Sequence, residues 1–141
     1  MPPTFEQVTA HRVRYLRGRH GWSQQDLADK LANFGMPIDR AQIARLELGK
    51  RGISLDETMR LAFALSVAPV NLITDPEDDA EPMAPIPGAE YSPAETRKWI
   101  IGKLPMIWQD PRSYFMNVPR EEFERYQLGE PQERQEREEQ S

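Results

Sequence analysis

Closely spaced helix boundaries constrain the fold of this chain more than any other feature of its sequence. Glycines end two helical patterns, and a serine or an aspartate precedes the patterns that follow, at Gly21, Ser23, Asp39, Gly49 and Ser54. Serine and aspartate in such places accept hydrogen bonds from the free N–H groups of a first helical turn. Asp26 and Glu57 follow the two serines by three residues, which is the spacing of a capping box. Residues 4–75 are therefore predicted to form short helices joined by tight turns.

The spacing of apolar residues supports this assignment. Val13 and Leu16 of the first pattern, and Leu27 and Leu31 of the second, recur at helical intervals. No strand-like alternation appears before residue 75. We therefore predict an all-α fold for the chain, with helices at about residues 4–20, 24–32, 40–48, 55–66 and 69–74 in this part and a mostly helical C-terminal extension.

The third predicted helix has two faces of different character. At about 100° per residue, Ile43 and Leu46 point toward a core. The opposite face and the flanks carry small and polar side chains, namely Arg40, Ala41, Gln42, Ala44 and Arg45. In a major groove, arginine binds guanine, glutamine pairs with adenine and an alanine methyl contacts thymine. The pattern predicts base contacts from Arg40, Ala41 and Gln42, which lie in the N-terminal half of the helix, the half that reaches base edges.

Candidate phosphate contacts flank this helix. Gln24 and Gln25 begin the second helix, where free backbone N–H groups and the helix dipole attract an anion. Lys50 and Arg51 follow the third helix and are placed to hold the flanking DNA backbone. Arg19, in the last turn of the first helix, is a further candidate. The alternative for each of these side chains is a plain solvated surface.

Charge is unevenly distributed along the chain. Its 141 residues include 18 basic and 23 acidic side chains, for a net charge of −5. Residues 1–75 hold ten of the basic and eight of the acidic side chains, so their balance is +2, whereas the remainder carries −7. Phosphate binding depends on a local basic face and not on the total charge. Arg12 and Arg14, on the first helix, are predicted to be solvated.

The sequence changes character after residue 75. Residues 76–90 are rich in proline and acidic side chains and are predicted to be a linker. Residues 91–128 are predicted to form a small helical accessory or oligomerisation region. Its aromatic residues are candidates for a small core or for a surface that binds a partner, namely Trp99, Trp108, Tyr114 and Phe115. Residues 129–141 are charged throughout and are predicted to be disordered.

Several classes of function are disfavoured. The chain has no cysteine, so disulfides and thiolate metal sites are excluded. His11 and His20 lack a recognisable set of ligands or catalytic partners, so no metal site, cofactor or enzymatic activity is predicted. No apolar run approaches membrane-spanning length, and the N-terminus lacks the layout of a secretory signal. We therefore expect a soluble, cytoplasmic protein that is not an enzyme.

Three segments resemble the Cro and phage-repressor family of helix-turn-helix proteins, also called the xenobiotic-response-element family. They are LRGRHGWSQQDLADKL, DRAQIARLELGKR and SLDETMRLAFALSVAPVNLI, and together they cover roughly residues 8–75. The resemblance implies an all-α, five-helix, lambda-repressor-like domain over residues 4–75. In it Arg40, Ala41, Gln42 and Arg45 take the base-reading positions, and Gln24 contacts a phosphate. It also implies that Arg17 and Glu47 form a buried structural pair. The turn at residues 33–38 is longer than is usual in this family.

The predicted function is sequence-specific binding of double-stranded DNA and control of transcription. Repression by a homodimer on a near-palindromic operator is the expected form, because one small domain buries limited surface on DNA. The alternative is an antitoxin-like or adaptor protein whose C-terminal aromatic region binds a protein partner. In that case DNA binding would serve autoregulation.

Overall fold

The computed structural model describes residues 1–107 and 109–129, which are mainly helical. The first helices are α1 (Phe5–Arg19), α2 (Gln24–Asn33), α3 (Arg40–Glu47), α4 (Leu55–Leu65) and α5 (Pro69–Ile73). Strands β1 (Met83–Ile86) and β2 (Ala89–Tyr91) follow, and then helices α6 (Pro93–Ile100), α7 (Pro111–Met116) and α8 (Arg120–Gln127). The chain divides into two compact units, one from Met1 to Ala94 and one beginning at Glu95. Every helix in the described ranges is too short or too polar to span a bilayer.

The predicted helix starts are confirmed at α2, α3 and α4. The Ser23 hydroxyl accepts a hydrogen bond from the N–H of Asp26 at 3.0 Å, and the Asp26 carboxylate accepts one from the N–H of Ser23 at 2.8 Å. Ser54 and Glu57 form a second capping box, at 3.1 and 3.0 Å. Asp39 caps α3 through its side chain. These bonds join residues three apart, so local sequence alone determines them.

Glycine ends α3 as the sequence predicted. Gly49 has a φ of 70°, in the left-handed region that L side chains rarely adopt. The N–H of Lys50 then donates to the carbonyl of Arg45 at 2.9 Å, which satisfies a carbonyl of the last turn. Lys50 therefore lies directly after the C-terminal end of α3.

The core of the first unit lies between its helices. Its fully buried side chains come from all five of them, including Val13, Leu27, Leu31, Ile43, Leu46, Leu61, Leu65 and Leu72. Met36, in the long turn between α2 and α3, is also buried, and Ile38 packs against the same cluster. Two residues of the inserted turn therefore belong to the core, while Phe34 remains partly exposed at 43%.

The prediction of an all-α fold was wrong in one segment, because β1 and β2 form an antiparallel hairpin. Met83 pairs with Tyr91 and Ile86 with Ala89. The hairpin lies within and just beyond residues 76–90, which the sequence predicted to be a linker. Met83 is buried, and the N–H of Ala84 donates to the carbonyl of Pro3 at 3.0 Å. Contacts with residues far away in sequence stabilise these short strands, so no local sequence pattern predicts the strands.

Arg12 is buried, which corrects the prediction that it lies on a solvated face. Its Nε and Nη2 atoms donate to the carbonyl of Asn71 at 3.2 and 3.0 Å. Its Nη1 atom lies 3.6 Å from carboxylate oxygens of Asp75 and Glu77. A buried guanidinium needs such partners. Arg12 therefore connects α1 to the end of α5 and to the acidic segment that follows.

The second unit has its own aromatic packing. The Tyr114 hydroxyl donates to the carbonyl of Trp99 at 3.2 Å. Phe115 is buried and stacks on Tyr126 with ring centroids 4.6 Å apart. Burial of Tyr114 raises the pKa of its phenol. Residues of α7 and α8 thus pack on each other within this unit.

Candidate nucleic-acid interface

The buried side of α3 holds the helix in a fixed orientation. Ile43 and Leu46 have no exposed surface, and they pack in the core of the first unit. Asp39 accepts a hydrogen bond from the N–H of Gln42 at 2.8 Å and so fixes the first turn. The face opposite the core is therefore presented to solvent by a rigid element.

The predicted base contacts lie on this exposed face. Arg40, Ala41, Gln42 and Arg45 are all exposed, whereas Ala44 is half-buried. Within the described ranges, the side chains of Arg40 and Gln42 have no hydrogen-bond partner. The Nη2 atom of Arg45 makes one long contact, 3.4 Å, with the carbonyl of Lys50. The structure thus brings two guanidinium groups, one carboxamide and one methyl group together on a surface free to meet a ligand.

A paired arginine and glutamate support α3 from behind. The Nε and Nη2 atoms of Arg17 donate to the two carboxylate oxygens of Glu47 at 2.5 and 3.1 Å, and Arg17 Nη1 donates to the carbonyl of Trp22 at 2.8 Å. The Glu47 side chain is only 3% exposed. Bidentate pairing has strict geometry, so it fixes the end of α3 relative to α1. Arg17 is therefore structural.

Gln24 and Gln25 differ in how their side chains are held. The Nε2 atom of Gln24 donates to Glu47 at 3.3 Å, which joins this half-buried glutamine to the Arg17–Glu47 pair. Gln25 is exposed, and its amide donates to Asp29 at 2.9 Å along α2. Both residues lie in the first turn of α2, where backbone N–H groups make an anion favourable. The side-chain amide of Gln24 could bind a phosphate only if it adopted another rotamer or gave up its hydrogen bond to Glu47.

Lys50 and Arg51 follow α3 in different environments. Lys50 is exposed, whereas Arg51 is half-buried. The Nη2 and Nη1 atoms of Arg51 donate to the two carboxylate oxygens of Glu57 at 2.7 and 3.2 Å. The hydrogen bond from Arg51 lowers the pKa of Glu57 below its ordinary value of 4.5. A phosphate must compete with this carboxylate for Arg51, and sequence reasoning did not foresee the competition.

Arg19 also has an acidic neighbour. Its Nη1 atom lies 3.2 Å from Glu77, and both side chains are at least half exposed. An exposed pair of this kind contributes little to stability, so Glu77 holds Arg19 only weakly. The signal available in the sequence was the acidic run after residue 75, but its position beside α1 depends on the fold.

The aromatic residues predicted to form a partner surface are not all accessible. Phe115 is buried, and its ring lies edge-on to that of Tyr114 with centroids 5.0 Å apart. Trp99 and Tyr114 are half-buried, and Trp108 lies outside the described residues. Phe115 is thus an interior residue of the second unit. In the described ranges, no group of three potential ligands is placed to hold a metal ion.

Comparison with known proteins agrees with this geometry. A family model described as helix-turn-helix matches residues 13–70. A protein of Neisseria meningitidis serogroup B (strain ATCC BAA-335 / MC58), named Neisseria hypothetical transcription factor, is 28% identical over 89 residues, which cover 63% of this chain and 79% of that protein. No solved structure matches the chain. By this match and by the arrangement of α2 and α3, residues 13–70 form a helix-turn-helix domain of the Cro and phage-repressor type.

Proposed function

We propose that this protein binds specific sequences of double-stranded DNA through α3 and represses transcription from them. The observation that carries the proposal is the exposed face of Arg40, Ala41, Gln42 and Arg45 on a helix whose other face is fully buried. These side chains match the donors, acceptors and methyl groups of the major groove. A fixed helix can present them in one register, which sequence discrimination requires.

The surrounding charges support a duplex as the ligand. Lys50 is exposed at the C-terminal end of α3, and Gln25 lies in the first turn of α2. Lys50, after α3, and Gln25, at the start of α2, would contact the phosphate backbone on either side of the groove. The net charge of −5 does not oppose this, because the acidic excess lies after residue 75. Affinity should therefore fall with added salt, as counterions compete for the phosphates.

We propose further that the functional species is a homodimer on a near-palindrome. A single α3 contacts few base pairs, and typical specific affinities need more interface than one small domain supplies. Two copies related by a two-fold axis would read two half-sites about one or more helical turns apart. A bound dimer would obstruct polymerase, which makes repression the expected result.

Selection of bound sequences from random duplex DNA tests this function. We expect enrichment of one motif with inverted symmetry, and a binding constant for that motif that falls steeply with salt. A reporter placed behind the selected operator should then lose expression when the protein is present. Recovery of no motif, or of binding without salt dependence, would contradict the proposal.

A second candidate function is that of an adaptor that binds another protein through the second unit. The observation in its favour is a set of exposed apolar side chains there, Ile101, Met116 and Leu128. Affinity capture with the full chain distinguishes the two functions. A stoichiometric protein partner that is lost when Met116 is changed to lysine would support the adaptor, and DNA selection would be unaffected by this change.

A further inference from the structure

The outer face of α4 is apolar, unlike that of an ordinary surface helix. Leu55, Met59 and Phe63 recur every fourth residue and form a stripe on the side opposite the buried Leu61 and Leu65. Leu55 and Phe63 are 73% and 74% exposed. A surface helix of a globular protein normally carries polar side chains on this side. The stripe therefore requires an explanation outside the core.

The long turn between α2 and α3 enlarges this stripe. Phe34 is the C-cap residue of α2. Its ring centroid lies 6.1 Å from that of Phe63, and its side chain is also partly exposed. We call Phe34, Leu55, Met59 and Phe63 the α4 patch. Adjoining apolar side chains of this size, on one rigid helix and its neighbour, are typical of a protein-binding surface.

The tail of this chain is unsuited to cover the α4 patch. The sequence after Gly129 is EPQERQEREEQS, which contains one proline and otherwise only polar and charged residues. Burying apolar surface against such a segment would desolvate its charges without giving them partners. The occupant must instead bring apolar side chains of its own.

The charges beside the patch indicate what that occupant is. Asp56 and Arg60 lie on the same flank of α4, and in the described ranges neither has an ion-pair partner. If two α4 helices pack antiparallel about a two-fold axis at Met59, Asp56 is three residues from the axis and Arg60 of the other copy is one residue from it. At 1.5 Å per residue their offset along the helices is about 3 Å, which a salt bridge spans. The two-fold axis forms this pair twice.

The apolar residues are self-complementary in the same arrangement. Met59 meets Met59 of the second copy at the axis, and Leu55 lies against Phe63 of that copy. A two-fold interface uses the same surface on both subunits, which this stripe satisfies. A parallel two-fold arrangement would instead place the charged flanks of the two helices on opposite sides of the pair, where Asp56 cannot meet Arg60 of the other copy. We propose that the α4 patch is the surface on which two copies of this chain associate, with their α4 helices antiparallel about Met59.

The size of the patch determines how strong this association is. An 11-residue helix is about 16 Å long, and stable interfaces bury about 1,200–2,000 Å². One helix pair with Phe34 at each end falls short of that area, so the free dimer should be weak. Binding to two adjacent half-sites raises the effective concentration of one copy for the other. The inference deepens the homodimer of the proposed function, and it is tested first without DNA.

Sedimentation equilibrium of the full chain, from low micromolar to near-millimolar concentration, measures the association directly. We expect a monomer–dimer equilibrium for the unaltered chain and a dissociation constant at least tenfold weaker for Met59→Lys, which opposes two like charges at the axis. Met116→Lys, at an exposed methionine of the second unit, is the matched control and should leave the equilibrium unchanged. Matching thermal unfolding curves show that both variants are folded.

Charge reversal tests the antiparallel geometry independently of folding. Asp56→Arg and Arg60→Asp each place like charges across the axis and should weaken association. The double variant restores opposite charges and should associate as the unaltered chain does. A chain that stays monomeric at the highest concentration, equal effects of Met59→Lys and Met116→Lys, or a double variant no better than the singles would each overturn the inference.

DNA binding separates this inference from the proposed function. Met59→Lys should still bind one half-site with salt-dependent affinity but should lose the extra affinity for the full operator. Arg45→Ala should associate normally and lose affinity for DNA. If the unaltered chain dimerises and selects no DNA, the proposed function fails while the inference stands. If DNA is selected and Met59→Lys binds the full operator as tightly as the unaltered chain, the inference fails while the proposed function stands.

Discussion

Under the proposed function, the individual side chains on α3 have different tasks. Ile43 and Leu46 anchor the helix, whereas Arg45 and Gln42 reach outward with donors and acceptors free to meet base edges. The Arg17–Glu47 pair keeps the helix end in place. Discrimination should therefore depend on the outward side chains, and stability on the inward ones.

Arg45→Ala should reduce affinity for the selected operator by about 1–3 kcal/mol, because a base-contacting guanidinium is lost. Affinity for unrelated duplex DNA should change much less. Titration of labelled operator and of a scrambled duplex measures both effects. Arg14→Ala is the matched control, because Arg14 is an exposed arginine on α1. Equal effects from the two substitutions would contradict a reading role for Arg45.

Glu57→Gln should strengthen binding to all duplex sequences alike. Glutamine can still accept the hydrogen bond from the N–H of Ser54, but it no longer holds Arg51 by charge. The freed guanidinium should add one phosphate contact and steepen the salt dependence by up to about one unit. Salt titrations of both proteins measure this, and a further Arg51→Gln change should abolish the gain.

The same pair makes stability depend on pH on the acidic side. The pKa of Glu57 is lowered in the folded state, chiefly by the hydrogen bond from Arg51. A lowered folded pKa means that the stabilisation is present above pH 4.5 and is lost as pH falls below that value. Glu57→Gln should therefore flatten the decline of thermal stability in that range.

The turns that end the helices are as specific as the caps that begin them. Gly49 and Gly18 both have open space around an added Cβ, but only Gly49 has a positive φ, of 70°. The two glycines thus isolate the backbone contribution from any steric clash.

Gly49→Ala should destabilise the fold by about 1–2 kcal/mol, because alanine is strained in the left-handed region. Gly18→Ala should instead stabilise it by up to about 1 kcal/mol, because Gly18 lies in the last turn of α1 and alanine has a higher helix propensity than glycine. Urea unfolding of the two variants and the unaltered chain gives the free energies. If both substitutions shift stability in the same direction, the C-terminal cap of α3 has been misassigned.

The extent of the first unit is a property of the whole molecule. Asp75 and Glu77 lie beside buried Arg12, and Met83 is buried in the first unit. The segment from residue 75 to residue 94 is therefore part of this unit, although its proline content is typical of a linker. Its removal should leave a buried guanidinium without its carboxylates, which is costly.

A chain ending at Ala94 should consequently be folded and should unfold in one cooperative transition. A chain ending at Thr74 should have a free energy of unfolding lower by at least about 2 kcal/mol. Loss of the buried Met83 side chain alone accounts for a change of that size. Urea unfolding of the two shortened chains gives the difference. Equal stability would show that the hairpin and the acidic segment do not contribute to folding.

Local chemistry was sufficient to predict the caps of α2, α3 and α4, because each joins residues three apart. The outward face of α3 was equally predictable from the sequence, since helical periodicity follows from residue spacing alone. The hairpin, the burial of Arg12 and the pairing of Arg51 with Glu57 were missed. A contact such as Arg12 with Asn71 joins residues 59 apart, and no local pattern reports it.

The order of residues thus fixed where the helices of the first unit begin and end, and which side of α3 is polar. Which charges remain free was decided by packing, because folding alone places Glu57 beside Arg51 and Glu77 beside Arg19. The exposure of the apolar stripe on α4 was likewise decided by packing. Its spacing is written in the sequence, but its exposure depends on how the core is filled by the opposite face of the helix.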